Sequence, residues 1–403
     1  MIHRAMLLAL LPALAMLPPA AGALTLAEIV TAATERHPRR GESEALRTVA
    51  EGYRRQADSL VGGDPSLDLG AAGDRFGSDF GYEEYVAGIS VPVWLPGQRK
   101  ARQRVAEQIG VEAGLRRTLL RWQITGEVLE RGWALRIAEA EAAQAAKQWE
   151  AAIALEKDIA HRFEAGELTR NDLLLARQDV VDTEAAFRAA ENQVVQARLA
   201  WSSLTGMETL PDDLDAFAHR HFEATLETHP QRLAANAIVE TARARRDDAQ
   251  ARRRAHPSVG LYAKHDRGIR GDAYTDSLGV ALNLPFGSRR QAAPAIAEAE
   301  AELQRRRADA ALVERELRLA LDQAAQAVAR SKRQLALAQK KHGYAQDRLH
   351  LAQRAFELGE MGLYQLLLAR QQAARAEREL ELRQLETLRD LAKQHHALGV
   401  IPK

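Results

Sequence analysis

The sequence predicts a mainly α fold with β hairpins, in which one helix–hairpin–helix unit is used twice. Three observations predict it: blocks that recur at one offset, paired segments of period 2, and heptad seams in long stretches rich in Ala, Leu, Arg and Glu. Phe163-Glu164-Ala165-Gly166-Glu167-Leu168 returns as Phe356-Glu357-Leu358-Gly359-Glu360-Met361, an offset of 356 − 163 = 193. Leu173-Leu174-Leu175-Ala176-Arg177-Gln178 returns as Leu366-Leu367-Leu368-Ala369-Arg370-Gln371 at the same offset, and so does Ile89-Ser90-Val91-Pro92 as Leu282-Asn283-Leu284-Pro285. Arg36-His37-Pro38 returns as Thr228-His229-Pro230 at 192. Four anchors in one order define a tandem duplication. The copies are expected at 24–206 and 223–403, with a linker at 207–222.

The first residues read as an export signal over 1–23. Met1 to Arg4 is a short basic start, Ala5 to Leu17 an apolar run, and Ala21-Gly22-Ala23 a small-residue cleavage site. The run is too short for an anchor, since spanning takes about 20 apolar residues. No later stretch reads as a transmembrane helix, so any membrane crossing falls to strands.

Each copy opens with a helix, expected from Thr25 to about Leu60 and from Pro230 to about Arg254. Strand pairs follow. Leu67, Leu69, Ala71 and Gly73 alternate with Asp68, Gly70, Ala72 and Asp74. Tyr85, Ala87, Ile89 and Val91 alternate with Val86, Gly88, Ser90 and Pro92. Val259, Leu261 and Ala263 alternate with polar or small residues, as do Leu278, Val280, Leu282 and Leu284. One apolar face and one small or polar face is the mark of a half-buried strand. Gly77 to Glu84 and Asp266 to Asp276 suit hairpin loops. Tilted strands of about ten residues can cross a bilayer. Four strands cannot close a barrel, and the smallest membrane barrels need about eight. A membrane barrel built from these strands is therefore shared between subunits.

Long helices complete each copy. Gln98 to about Arg162 makes one helix on the order of 100 Å. Leu173, Ala176, Val180, Thr183, Phe187, Ala190, Val194, Ala197, Trp201 and Leu204 step by threes and fours, the pattern of a heptad seam. Leu317 to Phe356 carries a second such seam.

Taken together, these motifs resemble the TolC family of outer-membrane efflux proteins over the whole mature chain. They are Leu24-Thr25-Leu26-Ala27-Glu28 with Arg36-His37-Pro38, Val91-Pro92-Val93 running into Gly97-Gln98-Arg99, the Phe-Glu-x-Gly-Glu turns, and Ser203-Leu204-Thr205-Gly206. The subtype that it resembles is the outer-membrane subunit of heavy-metal resistance–nodulation–division (RND) pumps. The resemblance implies a homotrimer with a twelve-stranded β-barrel in outer-membrane lipid and a long periplasmic α-helical barrel. It implies an exit duct of a tripartite efflux system, with a periplasmic adaptor (membrane fusion protein) and an inner-membrane pump as partners. It places adaptor docking at the hairpin tips, here Gly166, Glu167 and Leu168 and Gly359, Glu360 and Met361. It places a pore constriction just past them, at Arg170, Asp172 and Gln365. The chain departs from better-known members here: Gln365 and Leu368 stand where aspartates ring the pore, and Met361 where an arginine can stand.

Other classes are weaker. The chain has no cysteine, so disulfides, thiolate metal sites and cysteine nucleophiles are excluded. Lys and Arg (56) nearly balance Asp and Glu (55), and no bulk charge favours nucleic acid. No Ser–His–Asp arrangement, phosphate loop or dinucleotide fingerprint points to an enzyme, and no cofactor is implied. His219-Arg220-His221 and His395-His396 lack metal-ligand spacing. Basic clusters at Arg99-Lys100, Arg252-Arg253-Arg254 and Arg289-Arg290 suit either a headgroup layer or plain helix ends. The competing reading is a periplasmic coiled-coil adaptor or scaffold with no channel.

Overall fold

Thr25 starts the first helix by a capping box: its hydroxyl takes the Glu28 amide and Glu28 returns to its backbone (2.9 Å). The computed structural model describes residues 24–220, 222–286 and 288–403. The segment read as an export signal and His221 lie outside them. Where one opening helix was expected there are two, α1 (Leu26–Arg36) and α2 (Arg40–Asp58). The break falls at His37, extended at φ −70° and ψ 130°, because a residue before proline is pushed out of the helical region.

The strands β1 (Ser66–Gly73), β2 (Glu83–Pro92), β3 (Ser258–Arg267) and β4 (Thr275–Asn283) form one antiparallel sheet in the order β1-β2-β3-β4. The two hairpins, far apart in the chain, meet along β2 and β3. Between the hairpins run α3 (Gln98–Glu164), α4 (Arg170–Thr205), α5 (Leu214–His219) and α6 (Pro230–Ala251). After them come α7 (Ser288–Glu357) and α8 (Leu363–Ala397). At 67 and 70 residues, α3 and α7 are each about 100 Å long. Each folds back on a shorter partner, α3 on α4 and α7 on α8, and α3 also packs on α8.

The two largest apolar clusters among the described residues lie along the helices and at their turns. Midway along the helical hairpins, Trp133 and Trp201 are fully buried among Leu26, Ile29, Val30 and Leu385. Leu214, Phe217 and Ala218 of α5 are buried with them. Near the hairpin turns, Ile159, Leu173, Phe356, Leu363 and Leu366 draw both hairpins into one cluster. Among the described residues no helix is long and apolar enough to cross a membrane.

Candidate functional site

The sheet register sorts the strand residues into rows across all four strands. Leu67, Ile89, Leu261 and Val280 make one row, and Leu69, Ala87, Ala263 and Leu278 the next. Their large members are bare, with Leu278 81% exposed. The alternate rows form the other face and carry Asp68, Tyr262, Lys264, Ser277, Glu84 and Asp266. There Lys264 Nζ bridges Glu84 (2.7 Å) and Asp266 (3.4 Å), and the Tyr82 hydroxyl donates to Glu84 (2.7 Å). Tyr262 lies over Gly279, where a Cβ would come within 2.3 Å of its ring. One face is thus a bare apolar band, the other a polar wall with paired charges. β1 and β4 each have one neighbour, leaving both sheet edges open.

The far end of the sheet is knitted by polar side chains. Asp74 takes the backbone amides of Phe80 (2.7 Å) and Gly81 (3.1 Å), shaping the first loop. Arg270 joins the second loop to the first through its amide to the Phe80 carbonyl (2.8 Å) and its guanidinium to Asp79 (3.0 Å). The Tyr274 ring stacks on His265 at 4.2 Å.

At the near end, the sheet meets the helices through side chains that cap helix ends. Gln98 Nε2 donates to the carbonyls of Ala251 (3.2 Å) and Arg254 (2.9 Å), at the end of α6. Arg99 Nε donates to the Ala57 carbonyl (2.6 Å), at the end of α2. Arg252 pairs with Asp248 (2.8 Å). Members of two basic clusters are therefore engaged in helix ends. The Arg289 side chain lies outside the described residues. Burial pushes His256 below the usual imidazole range; its ring meets Trp94 edge-on at 5.1 Å.

The hairpin tips are built alike on one side and differently on the other. Gly166 (φ 77°) and Gly359 (φ 74°) are left-handed, which glycine adopts without strain. Each sits in a Schellman motif: Glu167 N–H reaches the Arg162 carbonyl and Glu360 N–H that of Ala355, both at 2.9 Å. Glu167 and Glu360 are exposed and Leu168 and Met361 half-buried. The following helices start differently. Thr169 and Asp172 form a capping box, with the Asp172 carboxylate 2.6 Å from the Thr169 hydroxyl and 2.9 Å from its amide. In the second copy Gly362 and Gln365 occupy these positions, and Gly362 offers no side chain to cap with. Arg170 and Gln365 are exposed. The Thr-x-x-Asp spacing was a readable signal of this cap.

The paired histidines diverge. His395 Nδ1 lies 3.2 Å from the Phe217 carbonyl, whereas His396 Nε2 lies 2.9 Å from that of Trp122. Among the described residues no group of three His, Asp or Glu side chains is placed to hold a metal ion.

A four-stranded sheet carried on two long helical hairpins is a fold shared with solved outer-membrane proteins. VceC from Vibrio cholerae shares it at a TM-score of 0.69, with 16% identity over 93% of this chain and 96% of that one. The open-state MtrE channel of Neisseria gonorrhoeae matches at 0.65 and 17% identity, over 93% and 88%. CusC matches at 0.70 and 14%, over 93% and 92%. The fold implied by the TolC resemblance is the fold found, and the likeness at these identities is one of fold. No family model matches the sequence, and no curated protein does.

Proposed function

We propose that this chain is the outer-membrane exit duct of a tripartite efflux system, a passive channel that makes and breaks no bonds. The observation that carries the reading is the four-stranded sheet with a bare apolar face and two open edges. An open edge is not viable in lipid, and an apolar face of this extent is not viable in water. Three copies, joined β4 to β1, satisfy both demands with twelve strands: the apolar rows turn to lipid and the polar rows line the lumen. The solved proteins of the same fold are described as outer-membrane proteins or channels, which supports the same location. On this reading 1–23 is an export signal, 24–206 and 223–403 are the two copies, and the helices form a periplasmic tube.

The tips at Gly166 to Leu168 and Gly359 to Met361 are then the docking points for a periplasmic adaptor, which links the duct to an inner-membrane pump of RND type. Arg170, Asp172 and Gln365 stand at the constriction. Metal cations are the cargo suggested by the sequence resemblance. The TM-scores, 0.65 to 0.70, do not single out a metal-export subtype.

Membrane fractionation with planar-bilayer recording tests the duct. A detergent-requiring trimer with steady conductance supports it; a soluble, non-conducting protein favours the scaffold reading. Deletion followed by growth on copper, silver or zinc tests the cargo separately.

A further inference from the structure

We propose that Arg177 lies on the seam between neighbouring copies, donating to the backbone carbonyl of Tyr344 in the next copy's α7. The proposal rests on the trimeric reading above. It comes from comparing the repeat-related helices α8 and α4.

In the second copy the motif Leu366-Leu367-Leu368-Ala369-Arg370 packs against α3 of the same chain. Leu367 is 7% exposed, and Arg370 Nη2 donates to the Ala151 carbonyl (2.9 Å). Burial lowers the Arg370 pKa, the mark of a guanidinium taken out of water. In the first copy the matching positions are bare. Leu174, the mate of Leu367, is 54% exposed, and Arg177, the mate of Arg370, is exposed as well. The pattern continues up the helix: Val181 and Leu199 are exposed, whereas their mates Ala374 and Ala392 are covered wholly or in part.

The opposite surface shows the complement. Gln144 on α3 is 2% exposed; its mate on α7, Leu337, is 66% exposed. The mate of Ala151 is Tyr344, also bare. So α4 and α7 are the two outer helices of the protomer, and each lacks the neighbour that its repeat partner has. A second copy of this chain supplies both. Its α7 stands to α4 as α3 stands to α8.

The α3–α8 contact also fixes the register. Arg370 meets Ala151, and Arg378 meets Glu141 at 2.6 Å. Carried over by 193 residues, Arg370 on Ala151 becomes Arg177 on the partner subunit's Tyr344. The same antiparallel slide sets Val181 beside the partner subunit's Gln339. Arg177 is ready for this, because Glu156 holds only its Nε (3.1 Å), leaving the Nη groups to reach outward as in Arg370.

The absence of natural cysteine makes cross-linking a direct test. Full-length chain carrying Arg177→Cys with Tyr344→Cys, bridged by a short bis-maleimide in membranes, is expected to give covalent dimers and trimers. Pairing Arg177→Cys with Leu337→Cys or Leu351→Cys, one heptad either way, is expected to give at least about fivefold less. Val181→Cys with Gln339→Cys, which keeps Arg177, is expected to form a disulfide directly. Stronger linking at 337 or 351, or no disulfide at Val181–Gln339 in a protein that sediments as a trimer, overturns the register and leaves the trimer standing. A wild-type protein that sediments as a monomer overturns the assembly reading itself.

Discussion

Arg102 and Asp248 form a buried ion pair, 3.3 Å apart, at the point where the helical tube meets the strands. Their side chains are 8% and 4% exposed. Burial pulls the Arg102 pKa down while Asp248 holds it up, and the Tyr53 ring lies 5.2 Å beneath the guanidinium. The pair ties α3 to α6, so one polar contact joins the two copies of the repeat. Asp248→Ala leaves Arg102 buried without its carboxylate. The expected cost is roughly 3 kcal/mol, because removing one member of a buried pair strands the other. Replacing both, Arg102→Met with Asp248→Leu, is expected to recover most of it. Thermal unfolding of the three purified variants checks the order.

The tip asymmetry separates a structural from an electrostatic role. Thr169→Ala removes the cap and keeps the Asp172 charge. Asp172→Asn keeps an acceptor and removes the charge. The first is expected to destabilise the tip by about 1 kcal/mol, read as faster hydrogen exchange at residues 165–173. The second is expected to lower cation over anion preference in bilayer recordings, since three such carboxylates would ring the constriction. Unchanged ion selectivity in Asp172→Asn would leave Asp172 a cap and nothing more.

Much of this was readable from local pattern. The row Leu67, Ile89, Leu261 and Val280 follows from period-2 alternation, because a strand shows its face in its own sequence. The tip glycines were readable too, since a turn between two helices needs a left-handed residue. The break at His37 is signalled locally by Pro38, although the helical periodicity on either side reads as one helix. Arg102 with Asp248, and Trp122 stacked on His396 at 4.5 Å, had no local signature. Each joins residues distant in sequence, on helices whose other charged residues are mostly solvated. The capping role of Asp172 was partly legible, but a Thr-x-x-Asp spacing does not reveal what else the carboxylate faces.

The tube's midpoint is expected to weaken in acid. His229 is 1% exposed and caps α6, its Nδ1 accepting from the Gln231 amide (3.2 Å). Burial holds its pKa at about 4, with His396 nearby adding to the effect. Above the ordinary value of about 6.5 neither folded nor unfolded His229 is charged, so no dependence arises. Between about 6.5 and 4 the unfolded chain takes up a proton that the folded chain refuses. Stability therefore falls as pH falls, by roughly 3 kcal/mol at most across the window. Unfolding temperatures at pH 7.5 and 5 are expected to differ less in His229→Asn than in the wild type, since asparagine keeps the cap without titrating.

Val280 and Ala281 are adjacent on β4 yet face opposite ways. Val280 shares its row with Leu67, Ile89 and Leu261, whereas Ala281 pairs with Gly260, whose other partner is Ser90. If the apolar rows meet lipid, Val280→Arg places a guanidinium at hydrocarbon depth, at a cost of about 2–4 kcal/mol. Ala281→Arg places the same charge in a watery lumen, where it stays hydrated. The strand and the introduced side chain are the same in both, and Ala281→Arg adds the greater volume, so a larger loss at Val280 reports the environment of the face. Assembled trimer in the membrane fraction is expected to drop at least about tenfold for Val280→Arg and to stay near wild type for Ala281→Arg. Equal assembly of the two would mean that neither face touches hydrocarbon. The opposite order would turn the barrel inside out, placing the Lys264–Glu84 pair on the lipid side, where two charges cannot remain hydrated.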